Sequence, residues 1–304
     1  METQNFFSHG KLLITSEYFV LDGSKALAIP TKLGQKLSVT QLPSRDSVIH
    51  WQTYREGVLW LDMEWNYRSE IIQKTNQPKA TAFIQSLFKI IKEMGTEKLN
   101  SDISYYLKSE IEFPEDFGLG SSSTLISNVA RWAKVDAFEL NERLLGGSGY
   151  DIAVAEKGKS ICYKKSSNAR EIELANFNPP FADQLLFVHL NRKQNTREGI
   201  KMYRNLPKNE KLIHEFSLLT EEVLRCDDLE NFSHLMEKHE RLVSNFLKIE
   251  TIKEKYLKNA PVFVKSLGAW GGDFIMTAKF DDYHTRFSDL GFDKIFTFKD
   301  LIHL

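Results

Sequence analysis

The run Gly118–Ser123 carries the clearest chemical signature in the sequence. Its Gly-Leu-Gly-Ser-Ser-Ser residues join a predicted strand to a predicted helix. Glycines let the backbone approach an anion closely, and free N–H groups at a helix start bind phosphate oxygens. The serines add hydroxyl donors, one of which can ligate Mg²⁺. The run is neither a Walker A loop nor a Gly-x-Gly-x-x-Gly fingerprint, because the required spacings are missing. A plain Gly/Ser turn that caps a helix remains the alternative.

A lysine and an aspartate are candidates for charge stabilisation and proton transfer. Lys11 lies at the edge of an apolar strand, where an ammonium group can neutralise a developing oxyanion or lower a neighbouring pKa. The alternative is a solvated lysine at a strand end. Asp151 follows the Gly/Ser turn 146–149 and begins a helical segment, from which its carboxylate can accept a proton from a substrate hydroxyl. The alternative is an N-cap aspartate.

Two loops in the second half of the chain have a distinctive composition. Residues 265–273 form a glycine-rich turn between two predicted strands, which a simple hairpin would also explain. Residues 192–197 link a strand to a helix and carry three cations, so they form either a solvated basic loop or a clamp for a carboxylate or phosphate. His234 and His239, five residues apart on a predicted helix, lack the spacing of a helical metal site.

Composition narrows the class of protein. The 304 residues are 42% apolar and 27% charged, which is ordinary for a soluble globular protein, and 40 Lys and Arg against 41 Asp and Glu give a formal charge of −1. Nucleic-acid and membrane partners are therefore not expected. The expected assembly is a monomer or a homodimer, a choice that composition does not decide. Cys162 and Cys226 form no zinc or disulfide pattern, which favours a cytoplasmic location. Neither a signal peptide nor an apolar run of about 20 residues is found.

Hydrophobic periodicity predicts an α+β protein with an antiparallel sheet in its second half. An Asn-Pro-Pro interruption near residues 176–181 predicts the boundary between domains 1–178 and 179–304. The predicted strands cover residues 11–15, 35–41, 47–54, 58–65, 102–111, 184–190, 262–267, 274–280 and 294–298. The predicted helices cover residues 78–95, 123–134, 136–145, 196–205, 209–226, 229–246 and 282–290.

Four segments, in this order, resemble the motifs of the GHMP kinases, the superfamily that includes galactokinase, homoserine kinase, mevalonate kinase and phosphomevalonate kinase. Residues 9–23 resemble the first motif, in which Lys11, Glu17 and Gly23 match by position. Residues 114–123 resemble the phosphate-binding motif, residues 142–151 a segment with a metal-binding glutamate and a catalytic aspartate, and residues 265–273 the C-terminal glycine-rich loop.

The chain also departs from the family patterns. His9, Ser16 and Tyr18 replace the usual Pro, Gly and His of the first motif. Ser123 replaces an alanine of the phosphate-binding motif, and Trp270 replaces a glycine of the C-terminal loop. Within the superfamily, Gly147-Ser148-Gly149-Tyr150-Asp151 and Gly271-Gly272-Asp273 are most similar to the phosphomevalonate kinases.

The resemblance implies a two-domain GHMP kinase fold, with an N-terminal ribosomal-protein-S5-domain-2-like domain and a C-terminal ferredoxin-like domain. It also implies ATP and Mg²⁺ as cofactors and a small acidic substrate, mevalonate or phosphomevalonate, in isoprenoid precursor synthesis. By this resemblance the catalytic residues are Asp151 and Lys11, the metal ligands Ser122 and Glu142, and the substrate residues Glu17, Arg192, Lys193 and Arg197. The nucleotide would contact Gly118, Leu119, Gly120, Ser121, Ser122, Ser123, Gly268, Ala269, Gly271 and Gly272.

Three other functions remain open on the same scaffold. A sugar or homoserine kinase would share the nucleotide site and differ in its acceptor. An ATP-consuming decarboxylase would release carbon dioxide. A catalytically silent ligand sensor would need neither Lys11 nor Asp151.

Overall fold

The computed structural model describes residues 2–44, 46–99, 103–166, 169–191, 196–268, 270 and 272–304, without the side chains of residues 196 and 197. The described residues form two compact units. Unit 1 contains residues 1–10, 33–115 and 120–156, and unit 2 contains residues 11–32, 116–119 and 157–304. These discontinuous units differ from the two continuous predicted domains, because residues 26–28 pair with residues 161–163 and so group with the later part of the chain.

The first half of the chain contains six strands and four helices within the described residues. The strands are β1 (Thr3–Leu13), β2 (Ala26–Pro43), β3 (Val48–Arg55), β4 (Val58–Asn66), β5 (Ile71–Thr75) and β6 (Ile103–Ile111). The helices are α1 (Pro78–Glu93), α2 (Ser121–Ala133), α3 (Ala137–Leu144) and α4 (Tyr150–Lys157). The chain passes from one unit to the other within β1 and within β2.

In unit 1 the strands follow the order β5-β4-β3-β6-β2. Only the β3–β6 pair is parallel among these neighbours. The core of the unit is aromatic and contains Trp51, Phe88, Tyr105 and Trp132, each at most 1% exposed. Helix α2 packs into this core through its buried face, which fixes the position of its N-terminus at Ser121.

The second half of the chain supplies the remaining described elements. The strands are β7 (Ile161–Lys165), β8 (Arg170–Leu174), β9 (Leu185–His189), β10 (Val264–Leu267), β11 (Phe274–Ala278) and β12 (Ile295–Thr297). The helices are α5 (Thr196–Arg204), α6 (Glu210–Arg225), α7 (Leu229–Leu247), α8 (Ile252–Tyr256), α9 (Tyr283–Asp289) and α10 (Phe298–Leu301). In unit 2, strands β10, β11, β9 and β12 form an antiparallel sheet in that order, which confirms the predicted sheet type.

The mixed helix and strand content confirms the predicted α+β class. Of the helices in the described ranges, none combines the length and the apolar character needed to cross a lipid bilayer.

Candidate active site

The N-terminus of α2 in unit 1 has the features of an anion-binding site. Gly120 is the N-cap residue, with a φ of 87°, and no side chain caps the helix. Backbone N–H groups in the first turn of a helix have no intrahelical partner, so they can donate to phosphate oxygens. The hydroxyl of the buried Ser123 donates to the Gly120 carbonyl at 2.8 Å, whereas Ser122 is exposed. Ser123 therefore shapes the loop, and Ser122 presents its hydroxyl to solvent.

The turn before α4 is built from glycines in left-handed conformations. Gly146, Gly147 and Gly149 have φ values of 73°, 97° and 90°, a region that side chains strongly disfavour. Asn141 fixes the start of this turn, because its side-chain amide donates to the Gly146 carbonyl at 3.0 Å. The glycine composition thus explains how the chain passes from α3 to the start of α4 immediately before Asp151.

Asp151 lies within the first turn of α4 rather than at its cap. The helix begins at Tyr150, and the half-buried Asp151 carboxylate accepts from the Ile152 backbone N–H at 3.0 Å. The N-cap explanation of this aspartate is therefore wrong. From this position a carboxylate oxygen can accept a proton from a hydroxyl group placed beside it.

Glu142, the second candidate metal ligand, is an exposed residue on α3. Among the described residues, no group of three His, Cys, Asp or Glu side chains has the arrangement of a metal site. A metal ion at this site would therefore need oxygen ligands from a bound nucleotide in addition to those of the protein.

Lys11 in unit 2 donates hydrogen bonds to Gly118 and Leu119, the first two residues of the glycine-rich loop. Its side-chain ammonium donates to the Gly118 carbonyl at 3.0 Å, and its backbone N–H donates to the Leu119 carbonyl at 3.0 Å. Lys11 is only 9% exposed. The alternative of a solvated lysine is therefore wrong, and the ammonium group lies beside the residues that begin the candidate phosphate loop.

Asp273, which follows the C-terminal glycine-rich turn, lies against Gly118 of the candidate phosphate loop and against Gly268. A Cβ atom added to Gly118 would lie 2.2 Å from Asp273 Oδ2, and one added to Gly268 would lie 2.9 Å from it. Both glycines also have positive φ values, 63° and 79°. The Asp273 side chain, 5% exposed, thus occupies the space that side chains at either position would need. Gly272 is buried next to it in the chain.

Gly118→Ala is expected to destabilise the protein and weaken nucleotide binding, because the new Cβ would overlap the Asp273 carboxylate. An overpacked site typically costs about 1–3 kcal/mol in the free energy of unfolding. Denaturant unfolding and calorimetric titration with ATP measure the two effects. Gly95→Ala is the matched control, since Gly95 also has a positive φ of 78° but nothing lies within 4 Å of its added Cβ. Equal losses in the two variants, or no recovery when Asp273→Gly is added to Gly118→Ala, would contradict this packing.

Glu17, Lys265, His239 and Glu240 form a buried charged cluster in unit 2. Lys265 Nζ lies 2.5 Å from Glu17 Oε1 and 3.4 Å from Glu240 Oε1, and His239 Nε2 lies 3.0 Å from Glu17 Oε2. No side chain of the four is more than 3% exposed. The backbone on both sides of Glu17 is left-handed, with φ values of 67° at Ser16 and 63° at Tyr18. Such strain persists only where surrounding contacts hold it.

Burial and the single ammonium group set the protonation of this cluster. Burial raises the pKa of Glu17, but the adjacent Lys265 and His239 together outweigh burial and hold that pKa below its ordinary value. Burial raises the pKa of Glu240. Burial, followed by the charge of Lys265, lowers the pKa of His239 to about 4, so the ring is neutral at pH 7 and Nε2 accepts from the Ser16 backbone N–H at 2.8 Å. Glu17, predicted as a substrate residue, thus lies inside an ionic cluster.

Several predicted site residues lie outside the described residues. These are Arg192, Lys193, Ala269 and Gly271, together with the side chain of Arg197. Lys265, His239 and Glu240 are not marked as site residues by any motif of the sequence. The only signal was a lysine within the apolar run of residues 262–267. His239 and Glu240 lie in a helix rich in charged residues, where polar side chains are usually solvated.

Comparison with solved structures identifies full-length matches of this fold. The chain is similar to Methanococcus jannaschii mevalonate kinase, with 17% identity, coverage of 100% of this chain and 99% of the other, and a TM-score of 0.71. It is similar to Streptococcus pneumoniae phosphomevalonate kinase in complex with phosphomevalonate and AMPPNP, with 17% identity, coverage of 97% of this chain and 99% of the other, and a TM-score of 0.70. It is also similar to Lactococcus lactis galactokinase complexed with galactose, with 14% identity, coverage of 97% of this chain and 93% of the other, and a TM-score of 0.63.

Comparison with family models and with curated protein sequences gives no match. The likeness therefore lies in the three-dimensional structure and extends over nearly all of this chain and its neighbours. The chain has the fold of the GHMP kinases, which confirms the fold predicted from its four motifs.

Proposed function

We propose that the chain is an ATP-dependent GHMP kinase that transfers the γ-phosphoryl group to a small acidic acceptor, either mevalonate or phosphomevalonate. The observation that carries this proposal is the loop at residues 118–123. Its second half is an uncapped helix start with an exposed Ser122, and its first half accepts a hydrogen bond from the buried Lys11 ammonium. A backbone cradle with an adjacent cation suits a nucleotide phosphate chain.

The residues present fit ATP with Mg²⁺. The N–H groups at the start of α2 would bind phosphate oxygens, and the Ser122 hydroxyl with the Glu142 carboxylate would supply protein oxygens to Mg²⁺. Mg²⁺ is usually held by one or two such groups together with the substrate phosphates and water, so a larger carboxylate cluster is not required. When bound, the ion would neutralise charge that develops on the transferred group.

The chemistry assigned to the protein is mainly positioning. An oxygen of the acceptor forms a bond to the γ-phosphorus, the bond between that phosphorus and the β,γ-bridging oxygen breaks, and ADP leaves. With a hydroxyl acceptor, Asp151 takes the hydroxyl proton. With a phosphate acceptor, whose oxygen is already ionised, it orients the acceptor. The Lys11 ammonium stabilises negative charge near the loop.

Two segments favour phosphomevalonate as the acceptor. Gly147-Ser148-Gly149-Tyr150-Asp151 and Gly271-Gly272-Asp273 resemble phosphomevalonate kinases, and one structural neighbour carries that acceptor together with an ATP analogue. A phosphomonoester carries nearly two negative charges at neutral pH, so it needs cations such as Arg192, Lys193 and Arg197. A cytoplasmic location is part of the proposal, in keeping with the free thiols of both cysteines.

An acceptor panel tests this proposal. ADP release from Mg²⁺-ATP is measured with mevalonate, phosphomevalonate, homoserine and galactose. The specificity constant should be highest for one of the first two and fall by roughly tenfold or more in Arg192→Ala and Arg197→Ala if that acceptor is phosphomevalonate. A preference for galactose or homoserine would assign the acceptor to the other branches of the superfamily, and carbon dioxide release would identify a decarboxylase. No ADP release with any acceptor would overturn the proposed activity.

A further inference from the structure

His189 is a fully buried histidine at the end of β9 in unit 2, and no motif of the sequence marks it. Its Cα pairs with that of Phe274 on the neighbouring β11. The next residue, Leu190, donates its backbone N–H to the Asp273 carbonyl at 3.0 Å. The imidazole therefore belongs to the same end of the β9–β11 pair as Asp273, whose side chain packs against Gly118.

The His189 ring faces the segment that leads into the candidate phosphate loop. Residues 116–119 of this segment belong to unit 2. His189 Nε2 lies 3.1 Å from the Asp116 carbonyl oxygen and 3.9 Å from Asp116 Oδ2. A carbonyl oxygen can only accept, so Nε2 is the nitrogen that carries a hydrogen and donates. At the other side of the ring, the Asn191 backbone N–H donates to Nδ1 at 3.3 Å, and Asn191 Oδ1 lies 3.1 Å from Nδ1. Both ring nitrogens thus have partners, which fixes the plane of the ring.

Aromatic packing holds Phe117, the next residue of the segment. Its ring is 4% exposed, and the centroid lies 4.7 Å from that of the His189 imidazole. The same ring meets Phe274 and Phe296 edge-on, with centroids 5.2 and 5.9 Å apart. Lys294 Nζ lies 4.9 Å from its centroid. Such packing fixes where the ring lies, whereas a directional hydrogen bond also fixes the orientation of the peptide group before it.

We propose that His189 is a positioning residue for the nucleotide phosphates, because its Nε2–H fixes the peptide group of Asp116 and so the path by which the backbone enters the candidate phosphate loop. Gly118 and Leu119 follow at once and accept the two hydrogen bonds of Lys11. A loop that is already ordered avoids the entropy cost of ordering on binding. Loss of this bond should therefore weaken nucleotide binding and leave the chemical step unchanged. The role in nucleotide binding rests on the proposed kinase function, but the hydrogen bond to Asp116 does not.

Two substitutions of His189 separate the hydrogen bond from packing. Glutamine places an amide N–H near the position of Nε2 and removes the ring, whereas phenylalanine keeps a ring and removes the donor. The Kd for Mg²⁺-AMPPNP, from calorimetric titration, should stay within about twofold of the wild type in His189→Gln and rise by roughly three- to tenfold in His189→Phe, the scale of one lost hydrogen bond. With the best acceptor of the panel, kcat at saturating ATP should change by less than about twofold in both variants. A residue that acted only by packing would give the reverse order of affinities.

Phe187→Leu is the matched control for lost stability. Phe187 lies two residues earlier on β9, is fully buried, and packs its ring on Phe298 with centroids 6.2 Å apart. The leucine variant should unfold at a lower denaturant concentration and bind AMPPNP as the wild type does. A loss of affinity equal to that of His189→Phe would show that the effect is one of stability, which would overturn the inference. If His189→Phe does not fold, His189→Asn replaces it, because the shorter amide cannot reach the Asp116 carbonyl.

Heteronuclear NMR of the full chain with isotope-labelled histidine tests the hydrogen bond without any nucleotide. The His189 signals, identified by their absence from the His189→Gln spectrum, should show a hydrogen on Nε2 that exchanges slowly with solvent. A hydrogen on Nδ1 alone would overturn the inference, and so would equal affinity for AMPPNP in the wild type and His189→Phe. A wild-type chain that binds no AMPPNP would contradict the proposed function and the nucleotide role together, whereas a protected Nε2–H would still establish the contact with Asp116.

Discussion

Replacing Asp151 with asparagine is expected to lower kcat by roughly 10²–10⁴-fold, the usual contribution of a positioned general base. The amide retains the shape of the carboxylate, and its oxygen can still accept from the Ile152 N–H at the start of α4. Stability and ATP affinity should therefore stay close to the wild-type values. Steady-state kinetics with the best acceptor, denaturant unfolding and titration with AMPPNP measure the three quantities.

Asp136→Asn is the matched control for this change. Asp136 caps α3 of the same unit by accepting from the Glu139 N–H at 2.8 Å, and asparagine is an equally good cap. Its kcat should equal that of the wild type. An Asp151→Asn enzyme with nearly normal turnover would remove this carboxylate from the mechanism. An equal loss in both variants would show that the effect is structural.

Lys265→Met is expected to cost roughly 3–5 kcal/mol in the free energy of unfolding, because removing one partner from a buried ion pair leaves an uncompensated charge. Methionine fills a similar volume, so the loss would be mainly electrostatic. Both Glu17 and Glu240 would then lack the ammonium group that neutralises them. Denaturant unfolding of wild type and variant at pH 7 measures the difference.

The pH dependence of this loss provides an internal check. Without Lys265 the folded-state pKa of Glu17 should rise above its unfolded value, so that folding favours the protonated carboxyl. The destabilisation should then be largest at pH 7 and shrink as the pH falls towards 5. Lys253→Met is the control, because the Lys253–Glu237 pair is 28% and 37% exposed and should contribute about 0–1 kcal/mol. A Lys265→Met cost no larger than that of the control would show that the cluster is not a stabilising ion pair.

The elements with strong local signals were predicted well from the sequence. Helix α1 begins at Pro78, as predicted, and ends at Glu93, just before the glycine expected to close it. The hairpin of β3 and β4 turns at Glu56 and Gly57, both with positive φ. Strand β5 was missed because none of its residues is buried, so no alternation marks it. Strands β7 and β8 were missed for a related reason: β7 is buried in its first three residues without alternation, and β8 has no buried residue.

The candidate site was only partly predictable for physical reasons. Glycine-rich turns and the residues after them have a distinctive composition within a short stretch of sequence. The loops at residues 118–123 and 146–151 could therefore be recognised. Burial of a charge depends on partners far apart in the chain, as with Glu17 and Lys265, 248 positions apart. The same limit applies to Trp270, whose departure from a glycine-rich pattern was visible while its contact with Glu240 was not.

Transfer of a labelled γ-phosphate from ATP to the acceptor tests the proposed kinase activity most directly. The chain is incubated with Mg²⁺ and γ-labelled ATP, with phosphomevalonate or mevalonate as acceptor, and the products are separated. The label should appear on the acceptor in equal amount to the ADP formed, and the Asp151→Asn protein should transfer it at least about a hundredfold more slowly. Label found only in inorganic phosphate, or none released from ATP with any acceptor of the panel, would contradict a kinase.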